Sequence, residues 1–251
     1  MAVKTTNNLV PIIKKEEYDA IATDFLSRFC EEALETPMPV PITAIAEKKM
    51  GLIILSRRLT EDFSVFGQMC FTRGRAQIYD KAEEEYREII VSKGTMIIDP
   101  DTYELRNEGC MNNTIAHESV HWDLHRNHHF MKSLVDDGNR LCVAHRCPIE
   151  QKKESPQKVM SDEDWMELQA NGIAPRILMP IQTVGIVFEQ FMKEKKLRIF
   201  AGNKSSPQIE LFDQQLKIEL VIDHIAEFYN VSRQSARIRL QELGYLKESY
   251  E

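Results

Sequence analysis

Apolar residues recur at three- and four-residue steps at Tyr18, Ile21, Phe25 and Phe29, which gives residues 16–34 one apolar helical face. Pro37, Pro39 and Pro41 end that helix. Pro41 is placed to open a second helix over residues 42–49, and Gly51 to close it. The period then changes. Residues 52–55, 63–71, 77–79, 89–91 and 96–98 are short apolar runs that predict strands, with Gly67 and Gly74 as bulge or turn positions. From Asn112 onward the pattern turns helical, over residues 112–128, 162–179 and 180–196, with Ser161 as the N-cap of the second. The polar stretch 132–155 takes no assignment. Residues 201–208 form a Gly-, Ser- and Pro-containing linker, and 211–245 a helix-turn-helix unit whose second helix is capped by Ser232. Strands first and helices after them are the order of an α+β fold.

Composition narrows the class. The 251 residues are 43% hydrophobic and 28% charged, which excludes a disordered, collagenous or disulfide-scaffold protein. No apolar run reaches the ~18–20 residues that span a bilayer, and residues 1–15 lack the apolar centre of a signal peptide. The expected location is therefore the cytoplasm, with no membrane partner. The five cysteines, 30, 70, 110, 142 and 147, are odd in number and irregularly spaced, so reduced thiols are expected. A net charge of −7 argues against sequence-independent binding to nucleic acid through overall charge.

The sharpest chemical signal is His117-Glu118-Ser119-Val120-His121. Chance would supply an H-E-x-x-H about 0.02 times in a chain of this histidine content. On a helix, positions i and i+4 lie on one face about a turn apart. Two imidazoles so placed can reach one Zn²⁺ at ~2.0–2.1 Å, and Glu118 beside them is the candidate base that takes a proton from water. The competing reading is an amphipathic helix with surface histidines, anchored by Ile115, Val120 and Trp122. Catalytic zinc needs a third protein ligand. Glu167, set among Trp165, Leu168 and Ala170, is the best candidate, since a carboxylate there is costly to bury without a positive partner. Asn171, one turn later, is placed to hydrogen-bond the free ring nitrogen of a zinc-bound histidine. Gly172 and Pro175 break a helical rule in the same stretch, and such violations gather at functional sites.

Residues 114–125, TIAHESVHWDLH, followed by residues 165–180, WMELQANGIAPRILMP, resemble the ImmA/IrrE family of cytosolic metallopeptidases. The likeness extends more weakly through PVPITAIAEKKMGLII, GTMIIDP and VIDHIAEFYNVSRQSARIRLQELGYL, and so spans most of the chain. It implies a zincin-like domain, a small mixed sheet with active-site helices, over residues 1–200, and a helix-turn-helix-like unit over 208–251. It also implies one Zn²⁺ per chain held by His117, His121 and Glu167, with Glu118 as catalytic base. The implied substrate is a transcriptional repressor of the helix-turn-helix type. The sequence departs from the family in two places. Ser119-Val120 stands where many members carry a Leu-Gly-like pair. The 46-residue interval from His121 to Glu167 is long, and it holds His125, His128, His129, Cys142, His145 and Cys147.

Other positions compete for a role. Cys142, His145 and Cys147 form one loose group where a structural zinc site normally has two tight pairs. His125 falls four residues after His121, with ligation, substrate contact, and a surface or supporting place as the choices. His128 and His129 suit a helix end. Tyr79, His145 and Arg176 are available to stabilise an oxyanion. Residues 63–71 offer an edge strand for pairing with an extended peptide. In residues 211–251, five basic residues face seven acidic ones, and only Arg233, Arg237 and Arg239 cluster, so direct DNA binding is not expected. The alternative function is a non-catalytic DNA- or protein-binding regulator with a vestigial metal motif. A zincin acting on DNA-linked proteins is disfavoured by the acidic charge.

Overall fold

A computed structural model of the chain describes residues 4–103, 107–135, 142, 144–148, 160–197 and 207–246. Its sheet is built from β1 (Ile53–Ser56), β2 (Val65–Cys70), β5 (Thr95–Ile98) and β6 (Ala144–Pro148), in the order β1-β5-β2-β6. β1 runs parallel to β5, and the other pairings are antiparallel. β3 (Gly74–Asp80) and β4 (Glu85–Val91) form a separate hairpin. Gly74 therefore starts a strand and is not in a turn. The irregularity expected at Gly67 is present, as a register shift between Val65 and Gly67 along β6.

The edge expected at residues 63–71 is not one. β6 lies along β2, with Cys147 opposite Gly67 and His145 opposite Met69. Gln68 of β2 is buried, with Nε2 3.5 Å from Cys70 Sγ. β6 comes from the polar stretch that carries no strand pattern.

Helices pack over the sheet. α1 (Tyr18–Phe29) buries Tyr18, Ala22, Phe25 and Leu26, one turn apart, and the short α2 (Glu32–Glu35) follows. α3 (Ile42–Ala44) continues as a π-helical turn, Ile45–Lys49, and Gly51 ends it at φ +70°. α4 (Glu108–Val120) passes through a π-helical turn, His121–His125, into α5 (Arg126–Val135). His128 and His129 thus lie inside α5, where His129 stacks on Phe71 at 4.0 Å. α6 (Asp162–Leu178) starts with a capping box between Ser161 and Asp164. α7 (Ile181–Glu194), α8 (Pro207–Tyr229) and α9 (Arg233–Glu242) complete the fold. Linker positions 201–206 lie outside the described residues, and α8 already includes 207 and 208.

One apolar cluster joins these layers, from Phe25 through Met69, Ile115 and Ile177 to Ile225 and Leu240. Arg239 of α9 is buried within it. It forms a two-pronged ion pair with Asp19 of α1 and donates to Met179 O at 3.1 Å. Arg176 of α6 adds contacts to Asp19 and Glu242. Removing Asp19 would leave the buried Arg239 charge without its carboxylate, at a cost of up to about 3–5 kcal/mol. No helix among the described residues is long and apolar enough to cross a membrane.

α6 continues through Gly172 and Pro175, and α1 supplies the reason for Gly172. A Cβ at that position would lie 2.2 Å from Cε2 of the buried Tyr18 ring. Alanine would gain about 1 kcal/mol in helix propensity, but the overpacking costs about 1–3 kcal/mol. Gly172→Ala is therefore expected to lower the urea midpoint. A variant more stable than the parent would show that this contact does not set the spacing of α1 and α6.

Candidate metal centre

The pentapeptide lies on α4 and its π-helical extension, and it is not on the surface. Every residue from Thr114 to His121 is buried, so this helix is enclosed on all sides. His117 and His121 are 1% and 0% exposed, which overturns the reading of an amphipathic helix with surface histidines. α4 starts at Asn107, whose side chain accepts from Cys110 N at 2.9 Å. It packs on β2 and β5 on one side and on α6 on the other.

His117 Nε2 and His121 Nε2 are 2.9 Å apart. Glu167 Oε1, from α6, lies 3.2 Å from His121 Nε2 and 3.4 Å from His117 Nε2. Donors held ~2.0–2.1 Å from one tetrahedral centre stand about 3.3–3.4 Å from each other. Two sides of the triangle match that value to about 0.2 Å, and the third is shorter. The three side chains therefore form a group that could hold a metal ion. A residue from each of two helices, 46 positions apart, meets in one place because α4 and α6 pack face to face.

Glu118 sits beside the triangle and is completely buried, and neither carboxyl oxygen has a hydrogen-bond partner. Burial, and after it the nearby Glu167 charge, holds its carboxyl well above the usual carboxylate range. The close approach of α4 to β2 depends on Gly67. A Cβ there would lie 2.7 Å from Glu118 Oε1 and 2.8 Å from Thr114 Cγ2. The position read as a bulge is thus also the clearance for the proposed base.

Asn171 does not reach an imidazole. Its Nδ2 donates to Glu167 Oε2 at 3.3 Å, because four residues on one helix bring it under its own neighbour. The ring nitrogen of His121 that faces away from Glu167 is met by His125, Nδ1 to Nδ1 at 2.9 Å. His125 is buried, and its Nε2 lies 3.0 Å from Gln169 Oε1. Gln169 Nε2 in turn donates to Pro11 O at 2.7 Å. Sequence reasoning missed Gln169. The available signal was a polar residue at a core position, since Met166, Gln169, Ala170 and Ile173 share the buried face of α6.

The other expected roles fall elsewhere. Tyr79 packs on Tyr86 in the β3–β4 hairpin, with ring centres 5.2 Å apart. Arg176 is engaged by Gly172 O, Asp19 and Glu242. Cys142 Sγ is 3.8 Å from Cys70 Sγ, and Cys30 and Cys70 are free thiols. His145 and Cys147 are placed on β6 by their backbone, and their side chains lie outside the described residues.

The Glu118 environment has a sign that can be measured. Its folded-state pKa is raised, so the folded protein holds a proton that the unfolded chain releases above the ordinary value of 4.5. Glu118 therefore subtracts stability increasingly as pH rises through this window, until its own raised pKa is reached. In urea unfolding with chelator present, Glu118→Gln should gain on the parent as pH rises above the ordinary carboxylate value of 4.5, by at most about 1.4 kcal/mol per pH unit. Parallel stability curves for the two proteins would contradict the raised pKa of the buried carboxyl.

Scans against models of protein families and against curated proteins find no match to this chain.

Proposed function

We propose that the protein is a zinc-dependent endopeptidase of the ImmA/IrrE type, working in the cytoplasm on a transcriptional repressor of the helix-turn-helix class. The observation that carries this reading is the convergence of His117, His121 and Glu167 on one point, with a buried and unpartnered Glu118 beside them. The donor set, two imidazoles and a carboxylate, is one that catalytic zinc sites use. Bound there, zinc would supply a Lewis acid that polarises a peptide carbonyl and acidifies water. Glu118 has no competing hydrogen bond, so its carboxylate can take the proton of the attacking water and pass it to the departing amine. Its raised pKa suits both halves of that transfer, because the proton is held long enough to be delivered. Asn171, through Glu167 Oε2, orients the third ligand.

The alternative, a DNA-binding regulator with a vestigial site, draws on α8 and α9. The three arginines of α9 are already paired with carboxylates. Arg233 pairs with Glu219 and Asp223, Arg237 with Glu219, and Arg239 is buried on Asp19. A helix whose arginines are held this way has little charge to offer a phosphate backbone.

The purified full chain should contain about one zinc by elemental analysis, lost in His117→Ala and in Glu167→Ala. Glu118→Gln should keep the metal and lose turnover of a helix-turn-helix repressor substrate by about 10²-fold or more. Zinc-loaded Glu118→Gln with parental cleavage would remove Glu118 from the chemistry. Absence of metal after zinc is supplied, together with salt-dependent DNA binding by the full chain, would favour the regulator.

A further inference from the structure

The contact between His125 and His121 belongs to a chain of hydrogen bonds whose direction is set at its far end. Pro11 O is a backbone carbonyl and can only accept. Gln169 Nε2, 2.7 Å away, is therefore the donor, and the amide oxygen of Gln169 faces His125 Nε2 at 3.0 Å. That oxygen accepts, so the proton of His125 is on Nε2. A neutral imidazole carries one N–H, which leaves His125 Nδ1 as an acceptor. Its partner at 2.9 Å, His121 Nδ1, must then donate. The single proton of His121 is consumed on Nδ1, and its Nε2 turns a lone pair toward His117 Nε2 and Glu167 Oε1.

We propose that Gln169 and His125 are positioning residues that fix His121 in the one tautomer able to donate its Nε2 lone pair, with Pro11 O as the anchor. The proposal rests on reading the triangle as a metal centre and adds two residues to it, on α6 and on the π-helical turn after α4. Both are buried, Gln169 at 1% and His125 at 0% exposure, so water does not substitute for either link. The composition of the relay is also explained. Histidine ligands are commonly oriented by a carboxylate. Here Glu118 and Glu167 already place two carboxyl groups beside the histidines, and a third would add like charge. A neutral imidazole and a neutral amide orient His121 without that repulsion. The π-helical turn brings the fourth-next residue, His125, to within hydrogen-bond reach of His121 Nδ1.

The test reads protons directly. In the full chain stripped of metal with a chelator, ¹⁵N-detected long-range spectra of the histidine rings should show His121 protonated at Nδ1 only and His125 at Nε2 only. A His121 proton on Nε2, or a His125 proton on Nδ1, overturns the proposal. This spectrum needs no variant and no bound metal, so it decides the relay separately from the zinc reading. Zn²⁺ affinity, measured by chelator competition, supplies the second arm. Gln169→Leu should weaken it by about 10–100-fold, the range seen when groups behind a ligand are removed. His125→Asn, whose side-chain oxygen can replace the Nδ1 acceptor, should stay close to the parent, whereas His125→Leu should not. Parental zinc affinity and unchanged tautomers in Gln169→Leu would refute the relay while leaving the metal centre intact.

Discussion

The burial of ionisable side chains between α4 and α6 is the constraint on which the rest of the structure depends. Desolvating His117, Glu118, His121 and His125 together is unfavourable unless each finds a partner or stays neutral. The fold meets that condition unevenly. His121 and His125 are paired, Glu167 is partly exposed and braced by Asn171, and Glu118 has no hydrogen bond at all. Surrounding packing sustains this arrangement. Gly67 lets the sheet approach α4, and Gly172 lets α1 approach α6. The elements that hold the site are thus tightly packed on both sides, which is how an enclosed polar cluster keeps its geometry.

Local spacing made part of this legible. His117 and His121 are a single turn apart, and Glu167 follows from the helical pattern around it, so these three could be read before any packing was known. The partners that orient them could not. Gln169 contacts His125 44 positions away, and Pro11 O 158 positions away, and only tertiary packing creates either pair. Asn171 shows the same limit in reverse: its place on the helix face was right, but the nearest acceptor was the neighbouring carboxylate. β6 was invisible because its residues lack an alternating pattern. Its strand conformation comes from the ladder that β2 offers, a non-local influence that commonly overrides strand propensity.

The C-terminal helices illustrate how a pattern can be correct and its meaning different. Ser232 caps α9 as expected, accepting from Ser235 N at 3.1 Å. Yet Arg239, which in sequence belongs to a basic cluster, is spent on Asp19 inside the molecule. Val221, Ile222, Ile225 and Leu240 enter the same apolar cluster as α1, α4 and α6. The pair α8 and α9 therefore works as a wall of the core, with Arg239 as its internal fastening.

The separation of Glu167 from the two histidines has one more consequence. The triangle closes only when α4 and α6 are packed, so an unfolded chain has no such site to offer an ion. A ligand confined to the folded form stabilises it in proportion to the logarithm of its free concentration. Any ion bound at this triangle would therefore act on the folding equilibrium. In a cell, where partly unfolded protein is removed continuously, ion supply would then regulate how much of the protein persists.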